Sequence, residues 1–333
     1  MDMPKIYKDR DAELSLIRSK KVGIIGFGNQ GRAQAMNLKD NGVDVCIGLR
    51  EDSKSRALIE ERELQCQGIS ETVTSSDIIV LLVPDQAMGQ IYEAHVSSHI
   101  KESQTLIFSH GYNIHYNVIL PSKNINVLMA APSGAGTELR KRYKEGGGIP
   151  GLFAIHQDYT GNSKQLILAY CKAIGLTRMG VFESTFKEET ETDLFGEQIL
   201  LTGGIPKMIQ SSFKVLLEGG YSPVTAWFVC YYELKTIVDM FHSKGFEFMN
   251  KVISDTAEYG GITRGKRLVD EHVENEMRKT LKEIQSGAFH EEWQREAKQN
   301  FPNLSKLREE EKNLSIEKIG NKILKELFDK NEV

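Results

Sequence analysis

The sequence holds only four cysteines, Cys46, Cys66, Cys171 and Cys230, and none stands in a CxxC pair. Neither a zinc knuckle nor a disulfide framework is therefore expected. No run of about 18 apolar residues occurs, so no membrane span is expected. The opening residues MDMPKIYKDRDAEL lack the apolar stretch of a signal peptide, and a reducing cytoplasm is the expected location. A strong excess of charge is missing too. The net charge of −4 gives no electrostatic reason to expect nucleic acid or an anionic membrane as a partner. The brief basic run Arg140, Lys141, Arg142, Lys144 is followed by Glu145 and reads as a solvated helix face. We find no sequence repeat and no low-complexity tract.

What is present is enough for two domains: 333 residues with an ordinary globular balance, 40% hydrophobic and 26% charged. The first half alternates short apolar runs with longer mixed segments. The runs are KVGIIGFG (21–28), VDVCIGLR (43–50), DIIVLLVPD (77–85), QTLIFSHG (104–111), INVLMAAP (125–132) and IPGLFAIH (149–156). Val, Ile and Leu fill them almost continuously, as strands buried on both faces require. Strand, helix, strand in repetition predicts an α/β, Rossmann-type, parallel doubly wound sheet. After about residue 183 the strand signals stop and long helical patterns follow, among them KMIQSSFKVLLEGG and TRGKRLVDEHVENEMRKTLKEIQSG. Gly219, Gly220 and Pro223 punctuate them. This divides the chain into a nucleotide-binding domain, 1–182, and an all-helical domain, 183–329. The tail NLSIEKIGNKILKELF reads as a short amphipathic helix.

Gly26-Phe27-Gly28-Asn29-Gln30-Gly31 is a GxGxxG motif that ends an apolar strand and opens a helix, the context a dinucleotide site demands. Gly26 permits the tight turn, Gly28 lets backbone approach a pyrophosphate, and Gly31 lets helix and strand pack closely. The helix N-terminus then offers its N–H groups to the phosphates. At the end of the second strand, Arg50 can clamp a 2′-phosphate and Ser53, Ser55 and Lys54 can add donors. Glu51 and Asp52 argue the other way, and the balance favours NADPH.

Glu189, Asp193 and Glu197 recur every four residues in KEETETDLFGEQ. On a helix they stack along one face and repel unless a cation sits among them, and hard oxygen ligands suit Mg²⁺. Neighbouring Leu194, Phe195, Ile199 and Leu200 suggest a largely buried helix rather than a solvated acidic face. Glu233, in CYYELKTIVD, has Val229 one turn earlier, so that helix offers a single acid. His95 and His99 lack the Glu of HExxH and read as helix surface. His110 ends a strand, at the edge where such folds bind ligands; a structural turn histidine is the alternative. Ser254 is either an N-cap or a substrate donor.

Together the segments IGFGNQGRAQAMNLKDNG, GLREDSKS, SHGYNIHY, FKEETETDLFGEQ, YELKTIVD and ISDTAEYGG resemble signatures of the ketol-acid reductoisomerase family, short form, over nearly the whole chain. The resemblance implies an enzyme that converts acetolactate-type acids to dihydroxy acids. Two Mg²⁺ ions drive an alkyl migration, and NADPH then reduces the new keto group. It implies an interlocked homodimer or higher assembly, with the second helical carboxylate pair supplied by the partner chain. By motif position Phe27, Gly28, Asn29, Gln30, Arg50, Ser53, Ser55, Asp85, Gln86, Ala87, Met88 and Gly136 would meet the cofactor. His110 and Glu189 fall on catalytic positions and Ser254 on the substrate serine. Asp193 would bridge the metals, with Glu197 on one and Glu233 on the other.

Two positions depart from the family pattern. A loop that resembles APKGPGH reads Ala131-Pro132-Ser133-Gly134-Ala135-Gly136-Thr137, so Ser133 replaces the catalytic lysine, and Val229 replaces the first glutamate of the second pair. Migration needs an alcohol deprotonated beside a polarised ketone, which two metals and an ammonium stabilise. Hydride transfer asks for less. The expected function is therefore an NADPH-dependent, Mg²⁺-assisted reductase of a small 2-keto acid or imine, poor at alkyl migration. The alternatives are a complete reductoisomerase, compensated through Lys141 or a shifted water, and a non-catalytic NADPH-binding protein.

Overall fold

In the computed structural model, which describes residues 4–327, nine strands form one sheet. They are β1 (Ile6–Tyr7), β2 (Lys21–Ile25), β3 (Asp44–Gly48), β4 (Gln65–Gln67), β5 (Ile78–Leu81), β6 (Thr105–Phe108), β7 (Asn126–Pro132), β8 (Gly151–Gln157) and β9 (Val181–Glu183). Each of the apolar runs read as a strand is one, to within a few residues at its ends. Alternate residues of a strand enter separate apolar clusters: Ile24 and Val80 go to one, Ile25, Ile79 and Leu81 to the other. That two-sided burial is why these strands read as unbroken apolar runs.

The strand order is β1-β9-β8-β7-β6-β5-β2-β3-β4. Pairing is parallel from β4 through β3, β2, β5 and β6 to β7. From β2 the chain runs outward to β4, then returns to β5 on the other side, so the order reverses between β2 and β5. Ligands of open α/β sheets bind at the C-terminal ends of the strands flanking such a reversal.

The parallel doubly wound sheet carries two antiparallel pairs. Strand β8 runs antiparallel to β7, with Pro132 opposite Gly151. The helix Gly136–Lys144 does not carry the chain across the sheet. The glycine run 146–148 turns it back toward the end it left, with Gly146 at φ +82°. β9 pairs parallel to β8, and β1 closes the edge antiparallel to β9. Strands β1, β4 and β9 are two or three residues long, too short to show a period in the sequence.

The chain divides between Thr192 and Asp193, inside the continuous helix Phe186–Gly196. The unit beyond is helical, from Gly204–Glu218 to Ser315–Leu327; Phe328, the last residue of the expected amphipathic tail helix, lies outside the described residues. Its helices are begun by the signals the sequence carries. Ser254 Oγ accepts from Ala257 N–H at 3.2 Å, Asp270 Oδ1 accepts from Val273 N–H at 3.1 Å, and Pro223 and Pro302 occupy first turns. Its apolar cluster is small: Phe213, Ala226, Trp227 and Ile316. Large apolar side chains stay exposed, among them Val229, Phe246, Tyr259, Ile262 and Leu268. Among the described residues no helix is long and apolar enough to cross a membrane.

Candidate active site

At the end of β2 the chain turns through Gly26, whose φ of +101° favours glycine. A Cβ there would also lie 2.4 Å from Leu82 O, and one on Gly31 would lie 2.5 Å from Gly26 O. A Cβ on Gly28 would meet nothing within 4 Å, so the backbone at the head of the helix Asn29–Asp40 is open to an approaching phosphate. The loop after β7 closes on the same turn. A Cβ on Gly136 would lie 2.3 Å from Asn29 O, and Gln30 Nε2 donates to Gly134 O at 2.9 Å. Ser133 therefore sits, exposed, on a loop held against the glycine-rich turn.

Sequence reasoning missed what stands behind Gln30. Gln34, fully buried, donates to Gln30 Oε1 at 3.1 Å and to Ser109 Oγ at 2.9 Å, and accepts from Tyr170 OH at 2.7 Å. This network joins the helix after β2 to the ends of β6 and β7. The available signal was an amide one turn past Gln30.

The loop after β3 carries the residues proposed for a 2′-phosphate. The Arg50 side chain is 71% exposed, with Nε 3.8 Å from Asp52 Oδ1, and Ser53 Oγ accepts from Ser55 N–H at 3.4 Å. Arg56, not singled out beforehand, donates Nε to Arg50 O and Nη2 to Leu49 O, both at 3.0 Å. Its guanidinium pins the loop backbone and leaves that of Arg50 in solvent. After β5, the helix Asp85–Ile91 begins with Asp85, whose Oδ1 accepts from Asn113 Nδ2 at 3.3 Å. Gln86 and Ala87 are half-buried in its first turn. Phe27 and Met88 are buried in the two core clusters, so backbone is the part of either that a cofactor can meet.

Past β6 comes the geometry on which the site turns. His110 Nδ1 lies 2.9 Å from Glu189 Oε1, and Gly111 N–H donates to Glu189 Oε2 at 2.7 Å. Glu189 is 4% exposed, and a carboxylate so buried needs such partners. The approach is close because residue 111 has no side chain: a Cβ there would lie 2.5 Å from both Phe186 O and Thr190 Oγ1.

This changes the reading of the acidic face. Glu189 is committed to His110 and Gly111, while Asp193 and Glu197 follow it along the helix and are exposed. At Glu197 the helix widens to a π turn, with Thr202 N–H donating to Glu197 O at 3.0 Å. A second π turn precedes Glu233, whose N–H donates to Phe228 O at 3.0 Å. Phe228 stands five residues before Glu233 and Val229 four, the latter 53% exposed. Neither is an acid. Such π turns recur at functional sites, and their five-residue step is invisible to a four-residue spacing rule. Asp193, Glu197 and Glu233 remain a donor set of hard oxygens, which fits a divalent cation such as Mg²⁺. Ser254 is the N-cap of Asp255–Leu268. His95 lies 3.4 Å from Ser70 Oγ and His99 3.0 Å from Ser98 Oγ.

Gly111→Ala tests the close approach. The backbone there suits alanine, with φ −78°, so the cost is one of space alone, about 1–3 kcal/mol of overpacking. Chemical denaturation should show that loss; a change below about 0.5 kcal/mol would mean that the segment does not seat on the helix as described.

Comparison with known proteins agrees with this architecture. A family model described as acetohydroxy acid isomeroreductase, NADPH-binding domain, matches residues 16–180, and one described as ketol-acid reductoisomerase, C-terminal domain, matches residues 186–328. Among solved structures, the chain is similar to an NADH-preferring ketol-acid reductoisomerase from an uncultured archean. Identity is 38% and the TM-score 0.94, over 98% of this chain and 99% of that one. A pyrroline-5-carboxylate reductase from Coxiella burnetii shares the fold alone, at 15% identity and a TM-score of 0.57 over 80% of this chain and 98% of that one. The chain belongs to the ketol-acid reductoisomerase family, and with it to the pyridine-nucleotide oxidoreductases.

Proposed function

We propose that this family member is an NADPH-dependent, Mg²⁺-assisted reductase of a small 2-keto acid or related imine, with alkyl migration impaired. The observation that carries the reading is Ser133: Gln30 holds its loop against the glycine-rich turn, and a short hydroxyl stands where the family pattern has an ammonium. Removing one preorganised donor of this kind costs about 3–4 kcal/mol at a transition state. Lys141 lines a groove of about 710 Å³ with Asn29, Gly136 and Lys144, beside the same turn, and is the residue through which a complete reductoisomerase would have to compensate.

Asp193 and Glu197 would hold the cation, joined by Glu233 from a second copy. When bound, NADPH supplies the hydride and Mg²⁺ the Lewis acid. The chain's own part is positional and protonic. Glu189 fixes Nδ1 of His110, so Nε2 is the ring nitrogen that can pass a proton to the reduced oxygen. The Gly26–Gly31 turn would hold the pyrophosphate of the nucleotide, and the loop of Arg50, Ser53 and Ser55 its 2′-phosphate. Assembly with a second copy is supported by the helical unit, whose small core leaves Phe246, Tyr259, Ile262 and Leu268 in water.

Two measurements check this. With Mg²⁺ and NADPH, 3-hydroxy-3-methyl-2-ketobutyrate should be reduced about 100-fold faster than 2-acetolactate, and Ser133→Lys with Val229→Glu should narrow the gap. Equal rates would establish a complete reductoisomerase; turnover of neither substrate nor of other keto acids and cyclic imines would leave a nucleotide-binding protein. Arg50→Ala should lower kcat/KM for NADPH about 10-fold and leave NADH unchanged. An equal loss with both would remove Arg50 from phosphate recognition.

A further inference from the structure

A second histidine–glutamate pair joins the same two segments as His110 and Glu189. His115 closes the short helix Tyr112–His115, and its Nε2 lies 3.3 Å from Glu191 Oε1, with side-chain exposures of 15% and 10%. Residues two apart on a helix do not face the same way. Glu189 and Glu191 therefore leave the helix Phe186–Gly196 on different sides, with the fully buried Thr190 between them. The segment from His110 to His115 straddles that helix. Its first histidine takes one flank, its second takes the other, and Gly111 seats in between.

We infer that His115 is a positioning residue, which through Glu191 sets the roll of the helix Phe186–Gly196 and so the direction from which Glu189 meets His110. One attachment leaves a helix free to turn about its axis, whereas two on different flanks fix it. The surroundings suit a fixed strut. The Tyr116 ring packs 4.6 Å from the His115 ring and the Tyr112 ring 5.0 Å from that of Tyr116. Burial pushes the Tyr116 phenol up to about 12, which keeps it neutral. Burial also holds the His115 imidazole below its ordinary pKa, against the pull of Glu191 and with the help of Lys187. His115 itself touches no reacting group in this arrangement; it acts through Glu191 and the helix.

The catalytic consequence rests on the reductase reading, but the placement of His110 does not, and the test separates them. His115→Phe keeps a ring and removes the nitrogen, while His115→Gln returns an N–H donor near the Nε2 position. In NADPH-bound protein, ¹⁵N–¹H spectra report the His110 ring nitrogens directly. In His115→Phe these resonances should shift, and kcat for the keto acid should fall about 10- to 100-fold with KM nearly unchanged, as misplacement of a catalytic group does. His115→Gln should restore both. His110 resonances that superimpose on wild type in His115→Phe would overturn the inference. So would a His115→Gln protein as impaired as His115→Phe, because ring packing rather than the polar contact with Glu191 would then be responsible. If the wild type turns over no keto acid, the proposed reaction fails while the resonances still decide the role of His115.

Discussion

The two hydrogen-bonding contacts of Glu189, one with the ring of His110 and one with Gly111 N–H, tie the C-terminal end of β6 to the helix that continues into Asp193 and Glu197. A carboxylate removed from water costs several kcal/mol unless its oxygens are satisfied, and here each oxygen has a partner. Much else is arranged around that contact. Residue 111 has no side chain because none would fit, Thr190 turns its hydroxyl back to Phe186 O, and His115 and Glu191 brace the same helix from another flank. The imidazole is thus oriented by the fold before any ligand arrives, which is what general acid–base chemistry requires.

A polar network performs the matching task at the nucleotide end. Gln34 is fully buried, and its amide serves Gln30, Ser109 and Tyr170 together. A buried network satisfied in this way fixes one arrangement of loops. It places the Ser133 loop beside the glycine-rich turn. The family framework is kept, and the proposed reading places the difference in chemistry at Ser133 and Val229.

Much of this was legible in the sequence, for physical reasons. Strands buried on both faces must be apolar throughout, so β2, β3, β5, β6, β7 and β8 announced themselves, and the glycines at 26 and 31 have requirements that other residues cannot meet. Strands β1, β4 and β9 did not show, because a few residues carry no period. The antiparallel course of β8 depends on where the glycines after Lys144 send the chain, and local sequence does not state that. Spacing placed Glu189 with Asp193 and Glu197 on one helix, but its partner His110 is 79 residues away, beyond the reach of any spacing rule. The π turn before Glu233, whose N–H reaches back to Phe228 O, is likewise invisible to counting by four. Arg56 and Gln34 escaped notice because their work is on backbone and amide groups, which no motif records.

If Glu189 serves His110 while the exposed acids after it serve a cation, the two kinds of carboxylate separate on titration. Calorimetry of Mg²⁺ into the NADPH-bound protein measures this most directly. Saturable uptake is expected in the wild type, retained within a few-fold in Glu189→Gln and abolished in Asp193→Asn. An absence of uptake in the wild type, or a Glu189→Gln protein as empty as Asp193→Asn, would contradict the division of labour on which the site has been built.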